Sequence, residues 1–148
     1  MRVDFFNCYT HFVMTTADRQ PVIPEEHRVR IEKYITGIVT KQESKMYSIW
    51  VNPDHAHLLV SRSPRISEEK LATIVADSSQ LFINNSGFLR THFDWQQSCA
   101  AFSVSKSDVP QVCRYILNQA EHHRKMTFTQ EYEEMLNYYL KGTRWKRG

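Results

Sequence analysis

The sequence has little of the material that several large protein classes require. It contains only 4 Gly and 5 Pro in 148 residues, which excludes collagen-like and low-complexity chains. No GxGxxG, GxxxxGK[ST] or GxSxG string is present, so the common dinucleotide, P-loop and serine-hydrolase motifs are missing. No apolar run approaches membrane-spanning length, and the N-terminus lacks the continuous apolar core of a signal peptide. These absences favour a cytoplasmic protein with no membrane partner.

Cysteine and net charge are also low. Cys8, Cys99 and Cys113 are widely spaced and odd in number, which argues against a disulfide framework or a zinc knuckle and for a reducing compartment. The formal net charge of +3 is too small to indicate nucleic-acid binding by itself. With 41% hydrophobic residues, we expect one domain over residues 1–148, with a short basic tail at about 140–148.

The periodicity of apolar residues predicts four strands and four helices. In chain order we expect a strand within residues 4–15, a helix from 24 to about 42, strands at 45–51 and 55–61, a helix from 67 to about 87, a strand at about 100–104, and helices at 109–124 and 129–139. This order is typical of the α+β class with a ferredoxin-like, split βαβ arrangement. It predicts an antiparallel sheet of four or five strands, with two helices on one face and the other face available to a ligand or a further helix.

Two pairs of polar residues have spacings that bring side chains together. His55 and His57 stand two apart on a predicted strand, so both imidazoles project from the same face. Tyr115 and Gln119 stand four apart on a predicted helix and share one side of it. Two imidazoles and an amide oxygen tolerate Mg²⁺ or Mn²⁺ and leave open positions for phosphate oxygens. A phenol beside such a cation can attack phosphorus once its proton is removed. Each feature alone is more typical of a structural residue, so only the combination indicates chemistry.

Four segments carry a resemblance to a known family. They read WVNPDHAHLLV at 50–60, WQ at 95–96, AFSVS at 101–105 and YILNQAEHH at 115–123. In this order and spacing they resemble the HUH-type single-tyrosine transposases of bacterial insertion sequences, a group that includes the REP-associated tyrosine transposases. The similarity spans nearly the whole chain.

The resemblance implies roles for the residues already named. His55 and His57 match the two histidines that bind a divalent metal, Mg²⁺ or Mn²⁺. Gln119 matches the glutamine that completes the metal site, and Tyr115 matches the nucleophile, on a helix near the histidine strand. Such enzymes cut single-stranded DNA near hairpins at element ends, leave a 5′-phosphotyrosine and a free 3′-hydroxyl, and then rejoin strands. The resemblance also implies a homodimer in the bacterial cytoplasm that associates with the nucleoid when DNA is bound.

Basic and aromatic side chains are further candidates for contacts with DNA. They are Arg62, Arg65, Arg114, His122, His123, Arg124 and Trp145. Arginines can line a groove for the phosphate backbone, and an indole ring can act as a stacking platform for a base. A solvated surface explains these residues equally well.

Two other functions remain open from the sequence. The first is a binding module without catalysis, either a domesticated relative or an RNA-binding sheet, although the strand at 55–61 offers histidines and aliphatic residues where bases would need aromatic rings. The second is a generic metal phosphodiesterase. His-x-His followed by Leu59 lacks the third alternating histidine of histidine-triad enzymes, which weakens this alternative.

Overall fold

The structure, a computed structural model, describes residues 1–142 apart from the side chains of residues 122–124. The strands and longer helices are β1 (Tyr9–Thr15), α1 (Arg28–Lys41), β2 (Lys45–Val51), β3 (His55–Ser61), α2 (Glu68–Asn85), β4 (Ala100–Val104), α3 (Val109–Leu117), α4 (Gln119–Lys125) and α5 (Phe128–Lys141). The order as far as β4 is strand, helix, strand, strand, helix, strand, and three helices follow within the described residues.

The four strands form one antiparallel sheet in the order β2-β3-β1-β4. This is the α+β, split βαβ arrangement that the sequence predicts, with four strands. In β1 and β3, which lie at the centre, Val13 pairs with His57 and Phe12 with Leu58. Because side chains alternate across a strand, the two residues of each pair point to the same face, and the two pairs to opposite faces.

Each face of the sheet has its own hydrophobic core. On one face, α1 and α2 pack Ile35 and Val75 against Phe12 and Leu58. On the other face, buried residues of α3 and α5 pack against the strands. This second core consists of Val13, Leu59, Phe102, Val104, Val112, Tyr115, Ile116, Phe128 and Met135. The face that the sequence analysis left for a ligand or a further helix is therefore covered, and the histidines of β3 lie on it.

Two helices begin at the capping residues that their sequences favour. The side chain of Ser67 accepts a hydrogen bond from the backbone N–H of Lys70 at the start of α2. Thr127 caps α5 through Gln130 in a reciprocal capping box. Each cap satisfies backbone donors that the first turn would otherwise leave unpaired. In α5 the cap fixes the turn that carries Phe128, which faces the histidines.

Three predicted elements differ in extent from the structure. The helix predicted from residue 24 begins with a separate 3-10 turn at Glu25–His27, and α1 itself starts at Arg28. The first strand begins at Tyr9 rather than near residue 4, because Tyr9 already pairs with the ends of both neighbours, Ser61 and Val104. The predicted helix at 109–124 is interrupted at Asn118, which leaves the helical conformation at φ −97° and ψ 21°. The apolar spacing did not reveal this break, because the chain resumes a helix in the next residue.

No helix within residues 1–142 is both long and apolar enough to cross a membrane.

Candidate metal centre and active site

Three side chains of the types that bind metal ions lie close together between β3 and α5. His55 and His57 are fully buried, and the Oε1 atom of Glu131 lies 3.1 Å from His55 Nε2 and 3.2 Å from His57 Nε2. One donor atom from each residue lies within 4.8 Å of the others. Two imidazole nitrogens and a carboxylate oxygen form a mixed donor set that suits Mn²⁺ and tolerates Mg²⁺. These three side chains could therefore hold a divalent cation.

The outer nitrogen of each histidine is also hydrogen-bonded. His55 Nδ1 lies 2.6 Å from Asp54 Oδ1, and His57 Nδ1 lies 2.9 Å from His11 Nε2. Histidines that bind metals usually have such a partner, since it fixes the ring orientation. Both Nε2 atoms are thereby turned toward Glu131.

The buried carboxylate and imidazoles of this site shift one another's pKa values. Burial alone would raise the pKa of Glu131, but the adjacent imidazoles of His55 and His57 hold that pKa well below its ordinary range. Burial would likewise lower the pKa of His55, but hydrogen bonds and charge from Asp54 and Glu131 raise it overall. Glu131 is therefore ionised, as a metal ligand must be.

Tyr115 lies beside this group within the same chain. Its ring meets that of His57 edge-on, with centroids 5.5 Å apart, and only 1% of the residue is exposed. The hydroxyl interacts with the Glu131 carboxylate and the Gln119 side chain. Burial, followed by the negative charge of Glu131, raises the pKa of Tyr115 well above its ordinary value. The phenol thus retains its proton in this state.

Gln119 completes the group on the side of α4. It is fully buried, and its Nε2 donates to the Tyr115 carbonyl at 3.4 Å. Its Oε1 accepts a hydrogen bond from Asn52 Nδ2 at 3.0 Å, and the same Nδ2 lies 3.2 Å from His55 Nε2. The four residues singled out from the sequence are thus neighbours. Their roles as nucleophile and ligands stay predictions.

The sequence analysis missed Glu131 and His11. Glu131 belongs to the helix predicted at 129–139, and it lies with Phe128 and Met135 on the buried side of α5. The sequence did contain a signal for Glu131, because this carboxylate stands at helical spacing between the apolar residues Phe128 and Met135. Phe128 stacks on the His55 ring with centroids 3.7 Å apart, which places the first turn of α5 on the site.

Two of the arginines predicted to contact DNA lie far from this group. Arg62 follows the far end of β3, seven residues and about 23 Å from His55 at 3.3 Å per residue. Its guanidinium donates to the Ile66 carbonyl and pairs with Glu68 at 2.8 Å. Arg65 pairs with Glu43 at 3.5 Å. Both arginines therefore have contacts within the chain.

The remaining DNA-contact candidates have different outcomes. Arg114 is exposed on α3, next in sequence to Tyr115. The side chains of His122, His123 and Arg124, and the whole of Trp145, lie outside the described residues. The contact of all these residues with DNA stays a prediction.

Comparisons with known proteins place this chain in a family. A candidate transposase from Deinococcus radiodurans R1 aligns with a TM-score of 0.60 and 20% identity over 80% of this chain and 95% of its own. A REP-associated tyrosine transposase bound to a REP hairpin aligns with a TM-score of 0.61 and 11% identity over 83% and 72%. No curated protein matches the chain. At these identities the two structures establish the fold alone. The profile of the family described as "Transposase IS200 like" matches residues 4–119, from before β1 through Gln119, and the chain therefore belongs to the IS200-like transposase family.

Proposed function

We propose that this transposase cleaves and rejoins single-stranded DNA through a covalent 5′-phosphotyrosine at Tyr115. His55, His57 and Glu131 would hold a divalent cation, Mg²⁺ or Mn²⁺, with Gln119 beside them. When bound, the cation would withdraw electron density from the scissile phosphate and orient it. The observation that carries the proposal is the placement of the Tyr115 ring against His57 within a single chain.

The side chains of the site account for the bonds that change. The Tyr115 oxygen forms a bond to phosphorus, and the bond from phosphorus to the 3′ oxygen of the leaving strand breaks. The phenol proton leaves to solvent as this bond forms, because His55 and His57 hold the pKa of Glu131 too low for its carboxylate to keep a proton. The 3′ oxygen takes up a proton and leaves as a free hydroxyl. Attack by a 3′-hydroxyl on the phosphotyrosine reverses the step, so rejoining needs no external energy source.

The DNA partner and the assembly form part of the same proposal. One solved relative of similar fold is bound to a REP hairpin, so we propose a single-stranded substrate with a hairpin near the cleavage site. The homodimer implied by the family resemblance would then carry a complete group of His57, Glu131 and Tyr115 in each subunit. We place the protein in the bacterial cytoplasm, on the nucleoid when it binds DNA.

The burial of the site has a consequence for substrate access. Tyr115, His57 and Glu131 are each no more than 2% exposed, and α5 covers them with Phe128 and Met135. A phosphodiester cannot reach the Tyr115 hydroxyl while α5 stays in place. The proposed reaction therefore requires at least the first turn of α5 to move away.

Removing the cap of α5 should make this movement easier. Thr127→Ala deletes the side chain that accepts from the Gln130 N–H, which costs about 1 kcal/mol. We expect amide hydrogen exchange in the first turn of α5 to become about fivefold faster, and covalent adduct formation to accelerate by up to the same factor. Mass spectrometry after timed exchange measures the first effect. The control is Thr73→Ala, an exposed threonine on α2, and equal exchange rates in both variants would contradict the expectation.

The test of the proposed function is the capture of protein–DNA adducts. The full chain is incubated with Mn²⁺ and single-stranded DNA carrying a hairpin, and the products are separated under denaturing conditions. We expect an adduct that survives denaturation, is absent with EDTA, and is not formed with fully duplex DNA. Tight hairpin binding without any adduct would instead indicate the binding module, and strand cleavage without an adduct would indicate the phosphodiesterase.

A further inference from the structure

A chain of buried hydrogen bonds connects the candidate metal centre to the far end of α5. The Tyr139 hydroxyl lies 2.8 Å from His11 Nδ1, His11 Nε2 lies 2.9 Å from His57 Nδ1, and His57 Nε2 lies 3.2 Å from Glu131 Oε1. Both histidines are fully buried. Neither the sequence motifs nor the family match, which ends at residue 119, includes the α5 residues of this chain.

The direction of these hydrogen bonds follows from the chemistry of their ends. A neutral imidazole has one N–H donor and one acceptor nitrogen, and the Glu131 carboxylate can only accept. A neutral His57 therefore donates from Nε2 to Glu131, so its Nδ1 accepts from His11 Nε2–H. His11 Nδ1 then accepts from the Tyr139 hydroxyl. Without a cation, the donors point from Tyr139 toward Glu131.

A cation on His57 imposes the opposite direction. A metal ligand offers a lone pair, so His57 Nε2 must give up its hydrogen and Nδ1 must carry it. His57 Nδ1–H then donates to His11 Nε2, and His11 Nδ1–H donates to the Tyr139 oxygen. We propose that His11 and Tyr139 are positioning residues for the cation site: they hold the His57 ring and reverse their hydrogen bonds when a divalent cation replaces the Nε2 proton.

The protons balance in this reversal. The His57 Nε2 proton leaves to solvent, the His11 Nε2 proton passes to His57 Nδ1, and the Tyr139 proton passes to His11 Nδ1. The half-buried Tyr139 oxygen takes up one proton from solvent. Each ring has changed its tautomer, and the total charge of the three side chains is unchanged.

The packing around Tyr139 restricts the movement of its ring. Its ring stacks on Phe102 of β4 with centroids 4.4 Å apart and planes within 3°. Tyr139 and Glu131 are eight residues apart on α5, about 12 Å along the axis. Helix α5 thus supplies both ends of this series of hydrogen bonds, while β1 and β3 supply the two imidazoles between them.

Nuclear magnetic resonance of the intact protein tests the reversal directly. This proposal rests on the cation binding in the proposed function, so the probe is Mg²⁺ alone, without DNA. Long-range ¹H–¹⁵N spectra distinguish the two tautomers of a neutral histidine. We expect His11 and His57 to carry their hydrogens on Nε2 in the absence of Mg²⁺ and on Nδ1 at saturating Mg²⁺. A His11 tautomer that is already Nδ1–H without Mg²⁺, or that stays Nε2–H with it, overturns the proposal.

A pair of variants adds a second readout. Tyr139→Phe keeps the ring on Phe102 and removes only the hydroxyl, and we expect it to weaken Mn²⁺ affinity about tenfold. The control is Tyr138→Phe, which removes a hydroxyl that donates to Asp108, and its affinity should stay within about twofold of the original. Equal affinity in the two variants overturns the role of Tyr139.

The possible failures are distinguishable. If the original protein binds neither Mg²⁺ nor Mn²⁺, both this proposal and the cation in the proposed function are overturned. If it binds Mg²⁺ while His11 keeps its tautomer, only the positioning role of His11 and Tyr139 is overturned. Because the tautomers are read from the unmodified chain, neither result depends on whether a variant folds.

Discussion

Tyr115→Phe is expected to abolish the covalent adduct with single-stranded DNA, with a loss of at least about 10³-fold in the rate of adduct formation. The substitution removes the only oxygen that the proposed step joins to phosphorus. The phenyl ring keeps its packing against His57, so the fold should persist. Denaturing electrophoresis of labelled DNA after incubation with Mn²⁺ gives the measurement, and thermal unfolding checks the fold.

The control for this experiment is a tyrosine away from the site. Tyr47 lies on β2, where it packs edge-on against Tyr9. Tyr47→Phe should form the adduct at the original rate. An adduct formed by Tyr115→Phe at that same rate would assign the nucleophile to another residue, whereas a Tyr115→Phe protein that binds hairpin DNA normally and forms no adduct would support the proposed role.

Glu131→Gln is expected to weaken Mn²⁺ binding by about 100-fold or more. Loss of a residue that only contacts a metal ligand typically weakens metal affinity by ten- to about 100-fold. Glu131→Gln removes a charged ligand itself, next to His55 and His57, so the loss should be at least as large. Titration calorimetry, or the electron paramagnetic resonance signal of free Mn²⁺, measures the affinity. Glu133→Gln, an exposed substitution on the same helix, changes the net charge equally and should leave the affinity within about twofold.

The same titration distinguishes two candidates for the third ligand. The family resemblance implies Gln119, whereas the structure places Glu131 Oε1 between the two imidazoles. If Gln119→Ala abolishes Mn²⁺ binding and Glu131→Gln does not, the amide is the third ligand and the carboxylate only covers the site. If both variants lose affinity, with the larger loss for Glu131→Gln, the cation takes the carboxylate and the amide positions it.

The parts of the fold that the sequence predicts well are those governed by local rules. The strands at 45–51 and 55–61 have the predicted bounds, because β-prone residues flank a turn of Asn52-Pro53-Asp54 that favours a hairpin. The strand at 100–104 also has its predicted bounds, and α2 begins at Glu68, one residue after the predicted start at 67. The boundary of β1 depends instead on where the neighbouring strands end, which local composition does not show.

The candidate site also combines features that residue spacing predicts with a contact that it does not predict. Strand alternation alone puts His55 and His57 on one face, and helical spacing alone puts Tyr115 and Gln119 on one side. That the two pairs meet within one chain depends on how α3 packs across β2 and β3. Neither spacing predicts this contact, since it connects elements that are about 60 residues apart.

By itself, the sequence determined the order of strands and helices, the split βαβ arrangement and the two pairs of polar residues, because each follows from the preferences of neighbouring residues. Only the tertiary structure decided that α5 covers the site, that Glu131 lies on His55 and His57, and that His11 connects His57 to Tyr139. The physical reason is that a buried charge is tolerated only beside partners that compensate for its lost hydration. Those partners come from distant parts of the chain, and only the folded arrangement brings them together.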